Sequence, residues 1–337
     1  FGATGGLTLK TPVPGGFSAL TIGASYVNGR SVFVQSSQFG YLTPDRGIVP
    51  VTGLGAFADG TQDSENAFDA RVDLTGHTTT LSAYALDAFD VSRTLHVDLS
   101  ARYDRTVVHN RDGLQPGGGT GSLDGDHKFN RVNPAIALRW SPTRTFAIDA
   151  ALAQTSRAPS AIELGCADPE SPCRLPNALA GDPPLDQVVA RTVETGVNAN
   201  LRGIALRIGA FRTVSRNDIL FVADDTAGFG YFRNFGKTRR QGIDVDLAGD
   251  VGAVHLTGHY TLLDATYRSG ETVDGSGNSS SEHVAPGFEG EIDIERGDRI
   301  PLIPRHIFKT GARWKPVEML SLSADMIAIS GVYARGN

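Results

Sequence analysis

Over long stretches of this chain the side chains change character at every residue. In LHVDLSARY, residues 95–103, Leu95, Val97, Leu99, Ala101 and Tyr103 fall on one face of an extended segment, and His96, Asp98, Ser100 and Arg102 fall on the other. VHLTGHY sets Val254, Leu256 and Tyr260 against His255, Thr257 and His259, and GIDVDLAG sets Ile243, Val245 and Leu247 against Asp244 and Asp246. NPAIALRW repeats the split with Ile136, Leu138 and Trp140 against Arg139. A period of two belongs to strands with one apolar and one polar face; a helix would repeat every 3.6 residues. Forty glycines, two methionines and the lack of any 18-residue apolar run agree, and they exclude a membrane-spanning helix from the sequence.

Alternation alone fits a soluble sandwich, with its apolar face inward, as well as a membrane barrel, with that face toward lipid. The connections separate the two. Tight turns fall at residues 11–16, 90–93, 141–144, 200–203, 249–252 and 315–318, and long polar excursions at 28–70, 111–127, 157–185, 217–235 and 269–305. A meander with every second connection short collects its short turns at one end and its long loops at the other, which is the arrangement of outer-membrane barrels. Greek-key crossings in sandwiches mix the ends. The expected fold is therefore all-β, an antiparallel up-and-down transmembrane β-barrel with about twelve strands in this chain. For residues 28–70, one long loop and an extra hairpin using SVFVQSSQFGYL both remain open.

A net charge of −6 and the single short basic run KTRR, residues 237–240, leave no footprint for nucleic acid. Neither a Gly-x-Ser-x-Gly elbow nor a His-Glu-x-x-His pair occurs, so no catalytic residue is expected. A soluble carbohydrate-binding or glycosidase module using the carboxylates of IDVDL is the weaker competitor, since nothing organises those carboxylates. The chain starts at Phe1 without a signal sequence and stops at Asn337, and it reads as an internal piece of a longer protein.

The two cysteines, Cys166 and Cys173, both lie in the proline-rich excursion 157–185. An outer-membrane protein matures through an oxidising periplasm, which favours a disulfide between them, contributing roughly 2–3 kcal/mol if unstrained. The competing reading is a metal pair, but two thiols without a nearby histidine make a poor zinc site.

The same excursion resembles a segment of the TonB-dependent outer-membrane receptors. An Arg-Ala-Pro box, Arg157, Ala158 and Pro159, leads into Glu163 and Leu164, then Asp182, Pro183 and Leu185, then Thr192, Glu194 and Gly196. Further on, TRRQGIDVDL with Gly242 is similar to the family's Arg-x-Gly strand start, and RIPLIPRHIFKTGARW to its Pro-Arg-His segment through Pro304, Arg305 and His306. YARGN at residues 333–337 looks like the start of a late external loop, and the motifs run from about residue 90 to the end in family order. The resemblance implies a barrel of about 22 strands of which residues 1–337 are one part. It also implies an N-terminal plug, a segment that binds TonB, outer-membrane lipid around the barrel, and energy-coupled import of a scarce solute such as a siderophore-type iron complex. Neither the plug nor the final strands are expected in this piece. No resident cofactor or metal is implied, and a passive porin or barrel adhesin is the nearest alternative.

Individual residues add detail. No histidine lies between Pro159 and Asp182, where haem receptors of this family carry one. His255 and His259 are about 13 Å apart along a strand and cannot share an ion, so they read as polar lumen residues. Asp244 and Asp246, about 7 Å apart, are close enough to bridge through water to a cation or to hold a plug arginine. The acidic run 269–298 reads as a solvated loop. Phe229, Tyr231 and Phe232 are the candidate substrate contacts, against a reading as packing or interfacial girdle.

Overall fold

The computed structural model describes residues 1–37, 40–50, 69–119, 122–165, 185–223, 230–274 and 291–333. In chain order the strands are β1 (Gly2–Val13), β2 (Gly16–Ser37), β3 (Gly40–Leu42), β4 (Ile48–Pro50), β5 (Asp69–Asp90), β6 (Leu95–Asp112), β7 (Gly125–Thr143) and β8 (Phe146–Arg157). A five-residue helix α1 (Ala161–Gly165) precedes β9 (Val188–Leu201), β10 (Ile204–Ala223), β11 (Gly230–Val251) and β12 (Val254–Tyr267). The chain continues through β13 (Glu271–Asp274), β14 (Glu291–Ile294), β15 (His306–Val317) and β16 (Leu320–Ile329).

One antiparallel meander runs β1-β2-β5-β6-β7-β8-β9-β10-β11-β12-β15-β16, every neighbour being the next long strand in sequence. Its twelve strands match the number expected from the alternation. All six short connections fall where the turn signals lie, and all join the same end of the strands. At the β9–β10 turn Arg202 and Gly203 both take positive φ, 54° and 87°, the pair that lets two residues reverse a twisted hairpin.

At the other end the strands run further than their side chains suggest. β2 continues through Ser37, β10 through Ala223, and β11 already starts at Gly230. Ladder hydrogen bonds form between backbones whatever the side chains, so pairing persists where the two faces stop alternating, as through Val32, Phe33 and Val34 and through Ile219–Ala223. The segment Ser31–Ser37 thus belongs to β2, and the extra hairpin of residues 28–70 is the separate β3–β4 pair, Tyr41 opposite Val49. The acidic excursion also carries a hairpin, β13–β14, which touches the sheet at Ala223 opposite Asp274.

Register sorts the two faces. Tyr103, Val132, Ile136 and Leu152 share the apolar face with Val193, Val197, Ile208, Val245, Tyr260 and Phe308. Trp140 and Trp314 stand on that face near the short turns, and Tyr26, Tyr103 and Tyr260 stand on it nearer the long loops. Leu95, opposite Trp140, and Tyr103 bound an apolar stretch of about 27 Å along β6. The opposite, polar face is concave: Arg139, Asn198, Arg207, Asp246, His259 and Lys309, from six strands, line one trough of about 920 Å³.

Two glycines on this face have a steric reason. Gly242 stands opposite Phe211, whose ring carbons would lie 2.9 and 3.0 Å from an added Cβ. Gly23 stands opposite Tyr84, whose ring likewise covers the bare backbone. Each ring lies flat across its neighbour strand only because that neighbour has no side chain. Elsewhere the ladder opens: β7 and β8 pair only from Ala135 opposite Ala153 toward the short turn. Pro134, which has no N–H to give, stands just beyond, and Gln154 Nε2 instead donates to Val132 O at 3.0 Å.

Candidate functional site

The polar face and the loop-side mouth above it carry the chemistry. On the wall, Arg102 donates through Nε to Asp104 at 2.7 Å and through Nη2 to Ser82 at 2.7 Å and Ser25 at 3.1 Å. Ser82 donates to the same Asp104 at 2.6 Å, and Asn133 Nδ2 bridges Asp104 and Ser156 at 3.2 and 3.0 Å. This network joins β2, β5, β6, β7 and β8, which places side chains from five strands in a fixed arrangement. Lower on the wall Asp149 accepts from Arg139 at 2.9 Å and from Asn198.

The carboxylates weighed as a cation site are already engaged. Asp246 pairs with His259 at 2.6 Å, and Asp244 accepts from Thr261 at 2.7 Å. His255 pairs with Asp250 at 2.8 Å. Among the described residues no cluster of three or more His, Cys, Asp or Glu side chains could hold a metal ion.

At the mouth, the chain leaving β8 folds back over the polar face. Arg157 grips Glu163 with two guanidinium contacts, 2.7 and 3.0 Å. Glu163 also accepts from the Ser160 backbone N–H at 2.7 Å, and the Glu163 N–H donates to Ser160 Oγ at 3.2 Å, a reciprocal capping box at the start of α1. Burial works against the charged form of Glu163, but Arg157 and the Ser160 amide outweigh it and hold the carboxyl below its ordinary range. Pro159 is fully buried beside this cap.

Below α1, Asn110 Nδ2 donates to Ala161 O at 2.7 Å, tying the helix to β6. Ala161, Leu164 and Leu185 form a small core with Val108, and Phe129, Ile219 and Phe232 pack against it. Beside this core Asp186 N–H donates to Asn234 Oδ1 at 2.6 Å, and Asp218 accepts from Thr238 Oγ1 at 2.6 Å and Arg240 at 3.4 Å. In the β6–β7 loop Asp124 accepts from the N–H groups of Asp112 and Gly117, which hold its carboxyl below the usual range.

The other residues singled out by sequence separate into groups. Thr192 shares a hydroxyl hydrogen bond with Thr213 at 2.9 Å, Glu194 stands on the polar face opposite Phe211, and Gly196 stands opposite Gly209. Arg305 and His306 donate their backbone N–H groups to Ser330 Oγ at 3.0 and 3.1 Å, just after Pro304, fixing the start of β15. The His306 ring stacks on Tyr260 on the apolar face. Cys166, Cys173, Asp182, Pro183 and Phe229 lie outside the described residues, and only the backbone of Tyr231 is described, in β11. Sequence reasoning missed the Arg102–Asp104 wall, whose partners lie on separate strands, and α1, although Ser160 and Glu163 carry the capping-box spacing.

A family model described as TonB dependent receptor-like, beta-barrel matches residues 2–337. Among solved structures, the ferric-catecholate import receptor Fiu from E. coli K12, closed form, superposes with a TM-score of 0.65 at 16% identity, over 96% of this chain and 43% of that one. The alcaligin outer membrane receptor FauA from Bordetella pertussis gives 0.58 at 13% identity over 98% and 46%. The copper transporter OprC gives 0.63 at 13% identity over 99% and 43%. The chain therefore spans less than half the length of these structures, and at such identities they speak for its fold. With the family model covering the meander from β1 to its last residue, the chain belongs to the TonB-dependent receptor-like β-barrel family.

Proposed function

We propose that the complete protein is a ligand-gated importer of the Gram-negative outer membrane, to which residues 1–337 contribute part of the barrel. Its apolar face meets lipid, and its polar face meets a plug domain of the same protein. External loops recognise a scarce, bulky solute of the siderophore–iron type, and TonB supplies the force that moves the plug. The chain works as a conduit, with no enzymatic step and no resident cofactor.

The observation that carries this reading is the cross-strand network around Arg102. A wall that only enclosed water would not need side chains of five strands locked to one arginine and one carboxylate. Such a wall suits a snug, reversible protein surface, since its own hydrogen bonds hold the side chains in place whether or not that surface is present. In this scheme Phe229 and Tyr231 contact solute, while the packing of Phe232 supports α1. Cys166 and Cys173 close the loop after α1 as a disulfide.

The test is uptake by cells expressing the full-length gene across iron chelates, copper complexes, cobalamin and oligosaccharides, with and without a functional TonB system. Accumulation of one class that disappears without TonB is the expected result. Diffusion of many small solutes regardless of TonB would make the protein a porin.

A further inference from the structure

On the loop-side half of the apolar face, β9 and β10 carry a checkerboard of valine and arginine. Val193 stands opposite Arg212, Arg191 opposite Val214, and Val189 opposite Arg216. These positions have the same facing as Val197 and Ile208, so the arginines share the face of the apolar stretch and stand beyond it on the loop side. Diagonal neighbours across a strand pair lie about 7–8 Å apart, which puts Arg191 between the other two. All three side chains are exposed.

Among the described residues no carboxylate neutralises their charges. Arg191 Nε donates to the neutral Gln154 at 3.1 Å. No described carboxylate forms an ion pair with Arg191, Arg212 or Arg216, whereas Arg139, Arg157, Arg239 and Arg240 each have one. In a chain of net charge −6 this local excess is not compositional. The three line a cleft of about 560 Å³ together with Arg131, whose Nε is buried without a hydrogen-bond partner. Directly adjoining it is an apolar groove of about 520 Å³ formed by Pro134, Ile136, Leu152 and Val193, and the two hollows share Gln154, Arg191 and Val193. The groove lies where Pro134 ends the pairing of β7 with β8.

We propose that this paired hollow binds one lipid with a phosphate-bearing headgroup, its phosphate among Arg191, Arg212 and Arg216 and an acyl chain in the groove below. Guanidinium forks match phosphate oxygens two at a time, and pairing of this kind is stronger where water is scarce. A free anion would use the cleft but not the groove, and a neutral lipid would use the groove but leave the arginines uncompensated. A solute in the lumen never meets this face. The proposal goes beyond import and shares with it only the assignment of the apolar face to lipid; a receptor that imports nothing would still hold the lipid.

The experiment uses the full-length receptor purified from outer membranes in mild detergent, with folding verified by heat-modifiable gel migration and bound lipid identified by mass spectrometry. It compares wild type with the triple variant R191Q/R212Q/R216Q, its Arg→Lys counterpart, and R105Q, which removes an arginine of β6 that stands opposite Leu81 and outside the hollow. Wild type and R105Q should retain phosphorylated lipid, the triple Gln variant at least about tenfold less, and the Lys variant an intermediate amount. In rebinding from phosphatidylcholine vesicles with or without lipid A, binding should require lipid A and survive millimolar inorganic phosphate. A folded triple Gln variant that keeps the wild-type amount overturns the proposal, as does equal binding to pure phosphatidylcholine. Displacement by inorganic phosphate would reduce the site to one for the free anion and overturn the lipid assignment.

Discussion

Replacing Ile208 by arginine tests the assignment of the faces most directly. Ile208 stands on the apolar face between Val197 of β9 and Val245 of β11, with Leu206 and Ala210 next on that face of its own strand and no charged group directly opposite. It lies between the tryptophan positions near the short turns and the tyrosine positions nearer the loops. At that depth an arginine on the lipid face costs about 2–4 kcal/mol. Leu99→Arg should cost less, because Asp87 stands directly opposite on the same face and gives the new guanidinium a partner. Asp98→Arg on the polar face, flanked by the small Ala88 and Ala137, should cost least. The assay is urea unfolding of the full-length protein reconstituted in vesicles, with free energies from linear extrapolation. The reasoning fails if Ile208→Arg and Asp98→Arg cost the same, or if Leu99→Arg exceeds Ile208→Arg.

Glu163→Gln should raise hydrogen exchange and protease cutting around α1 while leaving the sheet unchanged. The half-exposed Arg157 limits the loss to about 1 kcal/mol. The pH dependence has a fixed sign: the folded pKa of Glu163 lies below the ordinary 4.5, so its contribution is complete above that value and disappears as pH falls through the folded pKa. Protection of residues 161–165 that stays constant from neutral pH into strongly acidic solution would contradict this. Gly242→Ala puts a Cβ against Leu262 O and the Phe211 ring, and should cost about 1–3 kcal/mol in the same unfolding assay. Alkylation of the unreduced, denatured protein should find Cys166 and Cys173 blocked, and labelling of both without reductant would rule out their disulfide.

How much of this could be read in the sequence depends on distance along the chain. Leu95–Tyr103 and Val254–Tyr260 show their facing in consecutive residues, and turns such as Arg202–Gly203 advertise themselves by local chemistry, so strand number and order were legible. Ser31–Ser37 and Ile219–Ala223 were not, because side-chain contrast fades there while backbone pairing continues. The site is mostly a product of register. Arg102 meets Ser25, Gly242 faces Phe211, and Arg191 falls between Arg212 and Arg216 only once the strands are aligned, and Arg102 and Ser25 are 77 residues apart in sequence. The capping box of Ser160 and Glu163 was visible, but a five-residue helix leaves no periodicity to draw attention to it.

The rows of tryptophan and tyrosine also act as a ruler. Trp140 and Trp314 mark one limit and Tyr26, Tyr103 and Tyr260 the other, and the roughly 27 Å measured along β6 shrinks to about 20 Å across a bilayer once a strand tilts by about 40°. That is a short hydrophobic thickness, and bacterial outer membranes are thinner than average. In a thicker bilayer the tyrosine hydroxyls and the arginines beyond them would be pulled into hydrocarbon, or the surrounding lipid would have to compress to meet them. Under the proposed facing of the apolar side toward lipid, matching of this kind holds the barrel in the membrane it fits and disfavours it in others, a sorting signal written in the height of a wall.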